Sequence, residues 1–207
     1  MQAKSSSSKQ VERTFTETAR RAQIVDAAIE VLAEHGYANT SFAKIAKQAG
    51  LSSTGMISYH FAGKGDLIRE VITEIVRVNT EFVVAKLDLE AGYTARLRAW
   101  FAGTLALLDE YPGHQQALAG ILANVRPDDS QLSGLLDQFA GFLRVQEDWL
   151  REAQRAGVFR DFDPVIMAMA IWGARDAAFA RAARDPNFDT AACARELADL
   201  FDHATRK

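Results

Sequence analysis

Apolar residues recur every three to four positions along this chain and almost nowhere at every second position. Ile24, Ala28, Val31 and Leu32 fall at i, i+4, i+7 and i+8, and Phe42, Ile45, Ala46 and Ala49 at i, i+3, i+4 and i+7. This spacing lines one side of a helix, whereas a half-buried strand needs strict alternation. With 4 prolines in 207 residues, and with alanine and leucine abundant, little interrupts helical runs. The expectation is an all-α fold.

Punctuation divides that pattern. Residues 1–17 hold four consecutive serines and flanking lysines, which bury no core and read as a disordered polar arm. A first helix is expected from Thr18 to His35, closed by Gly36. Asn39-Thr40-Ser41 signals a second helix over Ser41–Ala49, closed by Gly50. Ser52 or Ser53 caps a third short helix running to Phe61, with Ile57 and Phe61 paired on its inner side. Ala62-Gly63-Lys64-Gly65 turns the chain, and Asp66 caps a fourth helix carrying Leu67, Ile68, Val71, Ile72, Ile75 and Val76. Further helices are expected near 94–109, 114–125, 131–156, 163–184 and 189–205, with breaks at Gly92, Tyr111-Pro112-Gly113, Arg126 to Asp129, Gly157 to Pro164 and Asp185-Pro186-Asn187. The domain reading is an arm at 1–17, a compact helical unit at 18–64 and a larger helical body at 65–207.

Charge is unevenly spread over these parts. The whole chain carries −3, but residues 1–64 carry +3 and the remainder −6. A basic end on an acidic body suits a nucleic-acid module joined to a different domain. Ordinary scatter gives a similar excess, so charge alone decides nothing.

The residues 46–52, Ala-Lys-Gln-Ala-Gly-Leu-Ser, join the second and third helices by a tight turn, the pattern of a helix-turn-helix. Gly50 supplies the positive φ such a turn uses. With Phe42, Ile45, Ile57 and Phe61 turned to the core, the third helix shows small polar groups on its other side: Ser52, Ser53, Thr54, Gly55 and Ser58, then Tyr59 and His60. Small hydroxyls let a helix sit deep in a major groove about 12 Å wide. Two readings of Tyr59 stay open, a DNA contact or a half-buried anchor with a wet hydroxyl. For His60 the choice is between a base contact and packing against the body.

The run from Thr40 through Phe61, followed by Lys64 and Leu67 and preceded by His35-Gly36-Tyr37, resembles the DNA-binding signature of TetR-family regulators. The resemblance covers about residues 20–76. It implies that Thr40 and Ser41 start a helix whose beginning meets phosphates. It implies that Ser52, Ser53, Thr54 and Gly55 open the recognition helix, that Tyr59 and His60 end it, and that Lys64 reaches a phosphate. Lys44 adds an outer contact. Ser58 stands where many members carry a tyrosine, which leaves Tyr59 as the aromatic of this helix. The implied partners are double-stranded DNA with a palindromic operator, a second copy of the chain and a small-molecule effector. The implied function is a ligand-responsive regulator, a repressor in the first reading and an activator in the second.

In the body, aromatic and sulfur side chains recur at helical spacing with polar groups among them. Trp100, Thr104, Asn124, Phe139, Phe142, Gln146, Trp149, Met169, Trp172 and Arg175 are the candidates for an effector pocket. For each, filling a core is the competing explanation. Ile166, Ala170, Gly173, Ala177 and Ala180, with Leu197, Leu200 and Phe201, suit a two-helix dimer face or an internal hairpin.

Other chemistry is not signalled. His35, His60, His114 and His203 form no metal-binding pair, and Cys193 is the only cysteine. No nucleophile elbow, phosphate loop or dinucleotide fingerprint occurs. No enzyme, cofactor or metal is therefore expected. The start has no apolar signal region and no apolar run reaches a spanning length, so the expectation is a cytoplasmic protein with no membrane partner. The alternative to a regulator is a helical adaptor whose N-terminal unit binds a protein.

Overall fold

A computed structural model describes the backbone of residues 4–88, 91–124 and 133–207, and the side chains of residues 16–88, 91–124 and 140–207. Its named elements are all helices. Among the described residues the one β pairing is an isolated bridge between Phe159 and Arg206, and no helix is long and apolar enough to cross a membrane. The chain divides into two compact units, one of residues 1–75 with 116–131, the other of residues 76–115 with 132–207.

The first unit opens with α1 (Lys4–His35). Its start lies well before the expected Thr18, within the run read as an arm. The residues there include Lys, Gln, Glu and Arg, which are good helix formers, and adding turns to an existing helix costs far less than starting one. The helix ends where expected: Gly36 sits at φ +74° and its N–H donates to the Leu32 carbonyl at 2.9 Å. Helices α2 (Phe42–Gln48) and α3 (Gly55–His60) follow. Between them Gly50 takes φ +63°, and Leu51 N–H returns to the Ala46 carbonyl at 2.8 Å. The core is built from Ile24, Leu32, Ile45, Ile57, Phe61 and Leu67, each at most 2% exposed. Phe42, expected in that core, is only half-buried.

α4 spans Lys64–Lys86 without a break. Asp66 does not cap it; it lies in the first turn, where one carboxylate oxygen accepts the Ala62 N–H at 3.0 Å and the other accepts from Arg69 at 2.9 Å. The apolar stripe Leu67, Ile68, Val71, Ile72 and Ile75 is buried. All five belong to the first unit, so the division between units falls after Ile75 rather than after Lys64.

The second unit holds α5 (Tyr93–Glu110), α7 (Ser133–Arg155), α8 (Pro164–Ala182) and α9 (Thr190–Thr205), while α6 (Pro112–Leu122) is shared between the two units. The expected breaks at Gly92 and Asp185 to Asn187 fall between helices. Of Tyr111-Pro112-Gly113 only Tyr111 does, since α6 begins at Pro112, and the break from Gly157 ends at Pro164, the first residue of α8. The one at 126–129 lies outside the described residues. Aspartates cap the last two helices. Asp163 accepts from Val165 N–H at 2.8 Å with Pro164 beginning the helix, and Asp189 accepts from Ala192 N–H at 2.7 Å. This pairing of an acceptor side chain with the first free N–H groups is what fixes a helix start. Helix α5 packs on α8 and α9, and α7 on α8. Leu97, Phe101, Leu150, Ala153, Phe159, Ala168, Ile171 and Phe201 fill the space between, with Phe101 stacked on Phe201 at 5.4 Å.

Candidate functional site

The helix-turn-helix is held from behind by α1. The Arg21 guanidinium lies 4.4 Å over the Phe61 ring, donates to the His60 carbonyl at 2.5 Å and reaches Glu70 on α4 at 3.1 Å. Gln23 donates to the Ala49 carbonyl at 2.7 Å, and Gln48 donates to Glu30. These bonds fix the end of α3 and the α2–α3 turn to α1. None was singled out from sequence. Arg21 could be seen only as charge beside an apolar stripe, since its partners lie 39 and 49 positions away.

This scaffold turns one side of α3 outward. Ser52, Ser53, Thr54, Gly55, Met56, Ser58 and Tyr59 are exposed, Tyr59 at 74%. The expected caps Ser52 and Ser53 do not serve: Thr54 is the N-cap, and its side chain makes no capping bond. The hydroxyls of Ser52, Ser53 and Thr54 therefore face solvent uncommitted. A Cβ on Gly55 would meet Ser53 Oγ at 3.4 Å, an ordinary contact, so folding does not require glycine there. Tyr59 is exposed rather than half-buried, with its ring edge-on to His60 at 5.0 Å. His60 is half-buried.

On α2, Ser41 is the N-cap, its Oγ accepting from Lys44 N–H at 3.4 Å, and the Lys44 and Lys47 side chains are exposed. Two of the expected phosphate contacts are engaged within the fold. Thr40 is 5% exposed and its hydroxyl donates to the Gly36 carbonyl at 2.8 Å. Lys64 Nζ donates to the Tyr37 carbonyl at 2.8 Å and lies 4.3 Å from the Tyr37 ring. Burial of that ammonium pushes its pKa below the usual lysine range. An ammonium has three N–H donors, so one bond to Tyr37 leaves Lys64 able to give another.

An exposed, hydroxyl-rich helix of this size, set on a glycine turn and braced by a longer helix, has the form of a major-groove reader. Residues 24–71 match the model of the family described as bacterial regulatory proteins, tetR family. Residues 24–71 therefore carry a TetR-type domain. The likeness to other proteins runs well beyond that domain in some cases and little beyond it in others. The Fatty acid metabolism regulator protein of Bacillus subtilis is 28% identical over 156 residues, 74% of this chain and 78% of that protein. The HTH-type transcriptional regulator BetI of Escherichia coli is 34% identical over 79 residues, 38% of this chain and 40% of that protein. The likeness to BetI thus leaves out more than half of each. Among solved structures, a protein from Saccharomonospora viridis in complex with choline aligns with a TM-score of 0.81 at 21% identity, covering 92% of this chain and 99% of that one. A TetR transcription regulator from Haloarcula marismortui aligns at 0.79 and 22%, covering 92% and 100%. At such identities these two establish the fold. The relatives that share this domain are named as transcription regulators.

The second unit gathers most of the side chains expected to line a pocket. Trp100 on α5 lies 5.6 Å from Trp172 on α8, and Phe142 on α7 stacks on Trp172 at 6.4 Å. Arg175 lies over Trp172 and Phe179, at 5.1 and 4.4 Å. Burial lowers the pKa of its guanidinium, partly offset by Asp176. Gln146 Oε1, Trp149 Nε1, Trp172 Nε1 and Arg175 Nε are all buried without a hydrogen-bond partner. Each such group costs about 1–3 kcal/mol unless something pairs with it, so four in one helical unit call for an explanation.

Two candidates lie apart from this group. Met169 is 59% exposed on the outward side of α8, beside Ile166 at 60%. Asn124 is exposed in the first unit, donating to the Gly120 carbonyl at 2.8 Å. The helical period that grouped them with the aromatic residues does not tell which side of a helix meets the core. Thr104 is buried, but its hydroxyl is satisfied by the Trp100 carbonyl at 2.8 Å. The Phe139 side chain lies outside the described residues. Burial raises the Cys193 thiol, which makes it a poor nucleophile.

Proposed function

We infer that this regulator is a ligand-responsive repressor that binds a palindromic operator as a homodimer and leaves it when a small molecule occupies the body. The observation that carries the reading is the outward face of α3, where uncommitted hydroxyls and the exposed Tyr59 stand on a buried Ile57–Phe61 seam. Ser52, Ser53, Thr54, Gly55 and Tyr59 read the groove, with His60 at its edge. Ser41, Lys44 and the spare donors of Lys64 take phosphates, and Thr40 positions the start of α2 through its bond to Gly36.

Dimerisation is supported by an apolar strip that the single chain leaves open. Val165, Ile166 and Met169 on α8 and Leu200 on α9 are all exposed, Met169 and Leu200 to 59% each. Ala170, Gly173, Ala177 and Ala180 continue the strip along α8. Two copies joined there by a twofold axis carry two α3 helices and so fit a site with matching symmetry. Response to a small molecule is supported by the unpaired buried groups of the second unit and by the choline found in one protein of this fold. An occupant that suits one arrangement of the body better than another shifts the population between DNA-competent and incompetent states.

A mobility-shift assay with the DNA flanking the chain's own gene tests the reading. A discrete complex with dimer stoichiometry, released by a small molecule, is expected. Absence of any complex across a genomic fragment pool would favour the adaptor. Higher transcription from the bound promoter when the protein is present would make it an activator.

A further inference from the structure

The chain has three tryptophans, all in the second unit. Trp172 meets the rings of Trp100 and Phe142, while Trp149 meets those of Tyr93 and Phe159. One turn along α8, the Arg175 guanidinium is wedged against Trp172 and Phe179. Its Nη1 donates to Asp176 at 2.8 Å. That leaves the edge formed by Nε and Nη2, whose parallel N–H groups match the two oxygens of a carboxylate. Nε is buried and has no acceptor. The indole N–H groups of Trp149 and Trp172 are in the same condition, and the one unpaired acceptor among these buried atoms is Gln146 Oε1. On α7, Gln146 and Trp149 follow Phe142 at i+4 and i+7, so they share its side of the helix.

A desolvated guanidinium with a stranded N–H, lying over Trp172 whose own indole N–H is stranded, calls for a group rich in acceptors and negative in charge. We propose that the body binds an organic carboxylate, seated on the Nε–Nη2 edge of Arg175, with its apolar or aromatic part against Trp172, Trp100 and Phe142. This rests on reading the body as an effector-binding domain. A quaternary ammonium would also suit the ring faces. It brings no acceptor for the Trp172 and Arg175 N–H groups, however, and it would meet a buried guanidinium.

Because two of the three tryptophans, Trp100 and Trp172, lie at the proposed site, intrinsic emission monitors it without a label. Phenylacetate and octanoate are titrated against 2-phenylethanol and choline, with calorimetry as a second readout. The expected result is a saturable change with at least one carboxylate, about tenfold or more tighter than with 2-phenylethanol, and none with choline. Arg175→Gln weakens carboxylate binding by about tenfold or more. Trp172→Phe keeps the ring, removes one donor and weakens binding less. If Arg175→Gln fails to fold, Trp172→Phe and the comparison with 2-phenylethanol decide. No saturable change with either carboxylate overturns the proposal. So does tighter binding of choline, or full-strength carboxylate binding by folded Arg175→Gln. A mobility shift on the same protein separates the two levels. DNA binding without a carboxylate response removes only the carboxylate assignment, whereas carboxylate binding without any DNA complex removes only the regulator reading.

Discussion

Arg21 lies 4.4 Å over the ring of Phe61, the residue that ends α3, and so ties that helix to α1. The same guanidinium donates to the His60 carbonyl at 2.5 Å. The position of α3 therefore depends on a side chain from outside the helix-turn-helix.

Arg21→Ala is expected to cost about 1–2 kcal/mol, from the charge-assisted bond and the ring contact. The ion pair with Glu70 adds little, since both side chains are over a third exposed. Urea denaturation measures the loss. Operator affinity falls as well, while the preferred sequence stays the same. An altered consensus would mean that Arg21 touches DNA directly.

Two glycines of the motif separate folding from binding. Gly50 holds φ +63° with open space around it, so Gly50→Ala suffers no clash but a backbone penalty of about 1–2 kcal/mol. Gly55 has ordinary backbone geometry and room for a methyl group. Gly55→Ala leaves thermal stability within about 0.5 kcal/mol and weakens DNA binding, because the added group stands on the exposed side of α3. Equal stability losses in the two variants would contradict this.

This contrast marks what the sequence could and could not disclose. The glycine turn, the stripes of α1 and α2, and the Ile57–Phe61 seam were legible because each is set by neighbours within one helical turn. The α3 cap was misplaced by one or two residues: Ser52, Ser53 and Thr54 are chemically equivalent as caps, and only backbone geometry chooses among them. The braces from Arg21 and Gln23 were invisible, as were the inner bonds of Thr40 and Lys64, since each joins residues brought together by the fold. In the body, helical period identified Trp100, Trp149, Trp172 and Arg175 as one group. It drew in Met169 because periodicity cannot separate a core-facing stripe from a partner-facing one.

Lys44 is exposed, and Lys64 is held by Tyr37. Lys44→Gln is expected to lower the slope of log affinity against log salt by about 0.9 with no loss of stability. Lys64→Gln lowers the slope similarly and also costs stability, because the Tyr37 carbonyl loses its donor. Salt titration combined with thermal melting distinguishes the two, and an unchanged slope in both variants removes them from the interface.

Ile166 and Leu200 are exposed to 60% and 59% on the strip assigned to the dimer. Ile166→Glu places a charge where two copies would meet, and burial of an unpaired carboxylate is strongly unfavourable. Sedimentation is expected to show monomers with native helical content. A variant that sediments as the wild type does would move the interface elsewhere.

The central claim is that α3 reads bases from the major groove, once in each of two symmetric half-sites. Methylation interference tests it most directly, because guanine N7 faces that groove. The expected pattern is interference at two half-sites related by a twofold axis, lost at the equivalent positions in both when Tyr59 is changed to Ala. Binding that is insensitive to N7 methylation, or a pattern that Tyr59→Ala leaves intact in every position, would contradict the account.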